Sequence, residues 1–293
     1  MKVGVVAILG RPNVGKSTLL NAMLSKKVSI VSPKAQTTRD AIMGILTQRD
    51  LQIVFVDTPG IFYGREKLYS VMKRAAFESS RGVNAVFYLI DASTKSLEED
   101  IRIFGSIHTD SPCFFVLNKI DLIRPERAME IKQSLAASFP TVPLIEASLL
   151  ENFGLKEIKE AVVPLLDEGD LLYPEEMITD KDDAYQAKEV IREKLLHFLR
   201  EEVPHQAAVV IDKIAYKDDH VKIKGRIIVE KTAHKAIVIG KGGEMIKKIT
   251  MASKKELERM WKMGISSMLL EVEVHPNWRD DMSALLSVGY GLE

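Results

Sequence analysis

The run Gly10-Arg11-Pro12-Asn13-Val14-Gly15-Lys16-Ser17 constrains this chain more than any other stretch. It follows the mostly apolar Val3-Gly4-Val5-Val6-Ala7-Ile8-Leu9 and opens the helix-compatible residues 18–24. A strand, a glycine-bearing loop and a helix, in that order, make a cradle for phosphate. The loop's N–H groups point inward and the helix N-terminus adds positive potential. Asn13, Val14, Gly15 and Thr18 are the expected backbone of that cradle. Lys16 would reach the β- and γ-phosphates, and the Ser17 hydroxyl would ligate magnesium. The loop alone fits ATP and GTP equally.

With 293 residues the chain has room for two domains of ordinary size. Its 46% hydrophobic and 28% charged content excludes a disordered chain. No apolar run approaches the roughly 20 residues needed to span a bilayer. The single cysteine, Cys113, lies in an apolar stretch and is expected to be a buried thiol in a reducing cytoplasm. Up to residue 166, apolar runs at 3–9, 52–56, 85–90, 114–117 and 143–145 alternate with helical patterns at 67–78, 97–107, 126–137 and 154–166. Such alternation predicts an α/β domain with a mainly parallel sheet. Residues 41–49 and 51–56 read as a hairpin that adds one antiparallel strand. The stretch 167–183 has eight acids and one lysine, no clear period, and is the expected linker.

Three further motifs define the base and the metal. Asp57-Thr58-Pro59-Gly60 ends an apolar strand, so Asp57 can hold magnesium and the Gly60 N–H can meet a γ-phosphate. Within Gln36-Thr37-Thr38-Arg39, a threonine can ligate magnesium only when the triphosphate is bound, and Thr38 is the favoured one. Asn118-Lys119-Ile120-Asp121 ends the strand at 114–117. There Asp121 can accept from the ring N–H and exocyclic amine of guanine. Adenine lacks that donor pair, and a buried carboxylate left unpaired costs about 3–5 kcal/mol. Asn118 would tie the two loops together and the Lys119 stem would cover the base.

The second half, residues 184–293, reads helix, strand, strand, helix, helix, strand. Residues 213–262 hold 14 Lys and Arg against 6 Asp and Glu, which predicts a polyanionic partner. Between the two adjacent helices lies Gly240-Lys241-Gly242-Gly243, with Lys247 and Lys248 following. A Gly-x-x-Gly turn lets backbone approach a phosphodiester closely, as in KH domains. Ile237, Ile239 and Ile246 are the expected apolar floor for bases. The histidines show no metal spacing, Trp261 and Trp278 read as packing groups, and the methionines from 245 to 268 as core filler.

Together these motifs resemble the translation-factor-related GTPases, and among them the bacterial Era family. The likeness extends through Tyr173-Pro174, Ile191-Arg192-Glu193-Lys194-Leu195-Leu196, Ile239-Gly240-Lys241-Gly242-Gly243 and Trp278-Arg279-Asp280-Asp281. It implies a P-loop GTPase domain (1–166), the acidic linker (167–183) and a smaller α+β type II KH domain (184–293). It implies a magnesium-dependent GTP/GDP switch that binds small-subunit ribosomal RNA near its 3′ end and serves small-subunit assembly. It also implies a monovalent cation, K⁺, coordinated by Asn13. The expected setting is the cytoplasm, for a monomer, with a peripheral contact on the inner face of the cell membrane. The alternative is a GTP-dependent protein- or membrane-surface module whose basic domain does not read RNA. Where many small GTPases carry a water-orienting glutamine, this chain has Ile61, then Phe62 and Tyr63, so intrinsic hydrolysis should be slow. In the last guanine loop Glu146 stands where the family has the serine that braces the loop, which should loosen base binding, and the Ala147 N–H is expected to meet the guanine oxygen.

Overall fold

A computed structural model describes residues 1–32, 34, 37–62 and 66–290; Gln36 and Tyr63 lie outside the described residues. The chain divides into two compact units, one of Met1–Gly64 and Met72–Asp180, the other of Arg65–Val71 and Lys181–Glu293. Among the described residues no helix is long and apolar enough to cross a membrane.

In chain order the elements up to residue 168 are β1 (Lys2–Gly10), α1 (Lys16–Leu24), β2 (Ile42–Gln48), β3 (Leu51–Asp57), α2 (Lys67–Glu78) and β4 (Ala85–Asp91). They continue with α3 (Glu98–Phe104), β5 (Cys113–Asn118), α4 (Pro125–Ser138), β6 (Leu144–Glu146), α5 (Leu155–Val162) and β7 (Asp167–Glu168). The sheet runs β2-β3-β1-β4-β5-β6. All neighbours from β3 to β6 are parallel, and the β2–β3 hairpin supplies the antiparallel edge. The parallel strands are buried on both faces, which is why they read as continuous apolar runs rather than alternating ones. Tyr88 and Phe115 meet Phe104 and Phe139 with ring centroids 4.6 to 6.3 Å apart, closing the core on one face of the sheet.

The acidic stretch does not hang free. β7 pairs antiparallel with the start of β1, in the space left because β4 begins only beside Val6. The buried Gln52 side chain accepts from the Leu172 and Tyr173 N–H groups (2.8 and 3.0 Å) and donates to the Tyr173 carbonyl (2.9 Å). Beyond it, the Ile45 N–H donates to the Ile178 carbonyl at 2.8 Å and Thr179 bridges Gly44. The stretch thereby covers the open edge of β2 as far as residue 180. Buried Gln52 supplies the anchor, and no periodicity in the acidic run announces it.

The second unit contains α6 (Asp183–Phe198), β8 (Ala207–Lys217), β9 (His220–Val229), α7 (Thr232–Ile239), α8 (Glu244–Trp261), β10 (Gly264–Val274) and α9 (Met282–Ser287). Asp182 caps α6, accepting from the Tyr185 N–H at 2.8 Å. β9 is central, antiparallel to β8 and parallel to β10. Ile191 and Leu195 of α6, Val238 of α7 and Ile249 of α8 pack with Val209, Ile227 and Leu270 of the strands. Trp278 is fully buried, donates to the Gln206 carbonyl and stacks on Tyr290; Trp261 donates to Gln186. Both tryptophans are packing groups.

Candidate functional site

The loop between β1 and α1 turns through Gly10, Asn13 and Gly15, all at positive φ. A Cβ on Gly15 would stand 2.3 Å from Asn118 Nδ2, and one on Gly60 would stand 2.7 Å from the Pro12 backbone. These two glycines allow three loops to close on one another. Between them is a cavity of about 460 Å³, lined by Lys16, Ser17, Thr18, Thr38 and Gly60 at one end. Asn118, Lys119, Asp121 and residues 148–150 line the other.

At the first end the Lys16 amine donates to the Gly10 and Arg11 carbonyls at 3.1 and 2.7 Å. Burial pulls it down to about 8, against the opposing charges of Asp57 and Asp100. Arg11 leaves the loop to pair with Glu99 (2.8 Å) and Asp100 (3.1 Å) of α3. The Ser17 hydroxyl lies 2.6 Å from Asp57 Oδ2 and 2.9 Å from Thr38 Oγ1. Thr37 instead turns back to the Lys34 carbonyl at 2.7 Å. Asp57 is fully buried, accepts a second bond from Ser29 at 2.9 Å, and among the described residues leaves Oδ1 without a partner. Two hydroxyls and a carboxylate with a spare buried oxygen form the hard oxygen set that magnesium takes. Ile61 is 0% exposed and packs among Leu9, Ala76 and Tyr88, turned into the core.

At the other end the Asn118 side chain joins three segments. Its Nδ2 donates to the Val14 carbonyl at 2.8 Å, and its Oδ1 accepts from the Leu149 N–H at 3.1 Å. Val14 itself is buried, so what it brings to the loop is that carbonyl. The Lys119 amine donates to the Asn13 carbonyl (2.9 Å) and pairs with Asp91 (2.5 Å). Burial pushes the Asp91 carboxyl up, but hydrogen bonds from Lys119 and Ser93 outweigh it and hold it below the usual carboxylate range.

Three expectations change here. The Ala147 N–H is spent on the Leu117 carbonyl at 2.9 Å and the residue is fully buried, so it does not face the cavity. The wall there is made by residues 148–150. Glu146 does not leave the loop unbraced, because Ser148 donates to Asp121 Oδ1 at 2.5 Å while Glu146 pairs with Lys132 at 2.7 Å. Asp121 is exposed rather than buried, so its aim is set by Ser148 and not by a surrounding core. Sequence reasoning also missed Ser29. Asn21 of α1 fixes it by accepting from the Val28 and Ser29 N–H groups at 2.8 and 2.9 Å.

The comparisons with known proteins agree with this geometry. Residues 5–119 match the family model described as a 50S ribosome-binding GTPase, and residues 202–279 match that of the KH domain. The GTPase Era of Leuconostoc citreum is 41% identical over 298 residues, covering 100% of this chain and 97% of that protein. This chain belongs to the Era GTPase family. The GTPase Era of Caldanaerobacter subterraneus is likewise 41% identical, over 100% of this chain and 99% of its own length. A crystal structure of Era with magnesium-bound GDPNP and nucleotides 1506–1542 of 16S ribosomal RNA matches over the full length of both chains, at TM-score 0.95 and 37% identity. An Aquifex aeolicus Era variant bound to GDP and aluminium fluoride matches at TM-score 0.94 and 36% identity, again over both full lengths. As an Era GTPase the chain binds GTP and GDP with magnesium and hydrolyses GTP.

The KH unit of this Era protein carries the second candidate site. Gly240-Lys241-Gly242-Gly243 turns between α7 and α8 with φ of 75°, 61° and 79° at its three glycines. A Cβ on Gly242 or Gly243 would meet nothing within 4 Å, so this stretch of backbone is open to a ligand. Lys241, Lys247 and Lys248 are exposed beside it. Of the three isoleucines expected to floor a groove, only Ile237 is exposed; Ile239 and Ile246 pack against the core. Met251 is 62% exposed and is not core filler.

Proposed function

We propose that this chain is a GTP-controlled switch that engages the 3′ end of small-subunit ribosomal RNA through its KH unit and acts in small-subunit assembly. The observation that carries the reading is the joining of a phosphate loop, an oxygen cluster and a guanine motif around one cavity, in a chain that also bears an open Gly-x-x-Gly turn. The Era structure bound to nucleotides 1506–1542 of 16S ribosomal RNA supports the choice of RNA.

In this reading the backbone of 13–18 and the Gly60 N–H receive the phosphates, and Lys16 neutralises them from within the loop. Ser17, Thr38 and Asp57 would hold magnesium, which when bound supplies positive charge to the β- and γ-oxygens. Asp121, aimed by Ser148, receives the guanine donors, with Lys119 alongside and the 148–150 loop behind. Thr38 and Gly60 sense the γ-phosphate, so the nucleotide state can alter RNA affinity, and RNA must then alter nucleotide affinity reciprocally. Ile61 faces the core and orients no water, so turnover is slow unless another group assists. Asn13, at the exposed mouth of the loop, is the expected site for K⁺. The protein works in the cytoplasm as a monomer, and contact with the inner face of the membrane is secondary to RNA.

Crosslinking the protein to RNA in cells and sequencing the fragments tests the reading. Reads should pile up at the 3′ end of small-subunit RNA. Equal RNA affinity with GDP and with a non-hydrolysable GTP analogue would remove the switch.

A further inference from the structure

Helix α8 leaves the glycine turn with a cationic stripe on its open side. Lys247, Lys248, Met251, Lys255 and Arg259 are all exposed and recur at spacings of three and four, which stacks them along one helix face. Two shallow grooves follow the stripe. One, of about 460 Å³, runs from Glu244 to Lys255 over Met251 and Ala252. The other, of about 520 Å³, lies where α8 faces the end of α6 and is edged by Lys194, His197 and Phe198. Lys255 borders both, so they form one track.

Four exposed permanent cations, Lys247, Lys248, Lys255 and Arg259, line that track against two carboxylates, Glu244 and Glu256. The other basic residues nearby are quenched: Lys254 turns to Glu258 (3.9 Å) and Lys194 to Glu193 (2.7 Å). Arg259 leans on Glu256 at 2.7 Å, yet its side chain remains 71% exposed. Among the described residues no carboxylate pairs with Lys247, Lys248 or Lys255. The Lys248 amine is held 4.4 Å above the Phe198 ring, which fixes a cation at the head of the track.

We propose that this face of α8, with the end of α6 beside it, is a second RNA-binding track continuing from the glycine turn, on which Lys248, Lys255 and Arg259 hold the phosphate backbone. The inference rests on the reading that the glycine turn itself binds RNA. From Lys248 to Arg259 the helix rises about 16 Å, several times what one phosphate needs. A Gly-x-x-Gly turn clamps only about four nucleotides, so longer RNA must lie on something beyond it, and the track begins where the turn ends. One exposed methionine is too little apolar surface to enter a bilayer.

The test uses the full chain and two nested RNAs ending at the 3′ terminus of small-subunit RNA, about five and about fifteen nucleotides long. Binding is measured across a salt series for the parent, for Lys255→Glu with Arg259→Glu, and for Lys255→Gln with Arg259→Gln, with thermal melts confirming equal folding. The parent should bind the longer RNA more tightly and with a steeper salt slope. The glutamate pair should lose about tenfold for the longer RNA and about 1.4 in slope, since each single-strand phosphate contact contributes roughly 0.7. The glutamine pair should lose less, and the short RNA should be unaffected. Unchanged binding of the longer RNA by both variants would overturn the proposal. Loss of binding to phosphatidylglycerol vesicles with RNA affinity intact would assign the face to a membrane and overturn it too. Failure of the parent to bind either RNA would instead remove the KH reading on which the track depends.

Discussion

The Ser148 hydroxyl donates to Asp121 Oδ1 across 2.5 Å and so aims the carboxylate proposed to receive guanine. Asp121 is exposed, so without this bond its side chain would sample several rotamers. A hydrogen bond to a charged group contributes about 1.5–3 kcal/mol. Ser148→Ala should therefore weaken GDP binding about tenfold or more, measured by titration with a fluorescent GDP analogue. Glu146→Ser should leave it unchanged, because Glu146 faces Lys132. The reverse ranking would restore Glu146 as the critical loop residue.

Ile61 offers a second check. It is fully buried beside Leu9 and Tyr88, so a glutamine placed there cannot reach the cavity without leaving the core. Burying its amide costs about 1–3 kcal/mol. Ile61→Gln is expected to lower the urea midpoint and to leave GTP turnover no faster than in the parent. Faster turnover would mean that the side chain does reach the phosphate end.

The phosphate loop, the guanine motif and the glycine turn were legible because each is a local device: its residue types and spacings carry the geometry. Ser148 was missed for a related reason. The run Leu144-Ile145-Glu146-Ala147-Ser148 does not show where the strand stops, and it continues its ladder through the Ala147 N–H to Leu117. The first residue free to face the ligand therefore comes one position later. Ser29 was invisible because only its distant partners, Asn21 and Asp57, give it a role. The anchoring of the acidic stretch depended likewise on the buried Gln52, 120 residues away from Leu172. Helix α9, six residues long, is too short to show a 3.6 period. At the start of β10, the short residues Gly264, Ser266 and Ser267 and a bulge at 265/267 break the alternation that would mark a strand.

Ser29 tests how far the metal site extends. It does not line the cavity, yet it donates to Asp57 Oδ2 at 2.9 Å and orients that carboxylate. Partners of metal ligands typically matter by 10–100-fold in metal affinity. Ser29→Ala should raise the magnesium concentration that half-saturates GTP-analogue binding about tenfold, whereas Ser29→Thr should retain most of the parent's behaviour. Equal magnesium requirements in all three proteins would show that Asp57 needs no support from Ser29.

The Asp91–Lys119 pair sets a pH dependence with a definite sign. The native Asp91 carboxyl is held below its ordinary value of 3.8, so its ionised form stabilises the fold. That contribution is fully present above the unfolded value and is lost as pH falls through the lower native one. Asp91→Asn should cost about 1 kcal/mol at neutral pH. The two proteins should converge in acid, once pH has fallen through the lowered native value and the carboxyl is protonated. Urea midpoints at neutral pH and in acid decide it: a gap that stays constant would mean that the stabilisation is steric rather than ionic.

Gly242 separates backbone strain from charge at the RNA turn. Its φ is 61°, a left-handed conformation, but a Cβ there meets nothing within 4 Å. Asparagine and aspartate both enter this region at modest cost, so Gly242→Asn and Gly242→Asp should melt within a degree or two of each other. They differ in one formal charge at the place where the proposed function brings phosphodiester close. Gly242→Asp should therefore bind the 3′-terminal RNA at least tenfold more weakly than Gly242→Asn, with the gap shrinking as salt is raised. Equal RNA affinity in the two variants would show that the turn does not face phosphate.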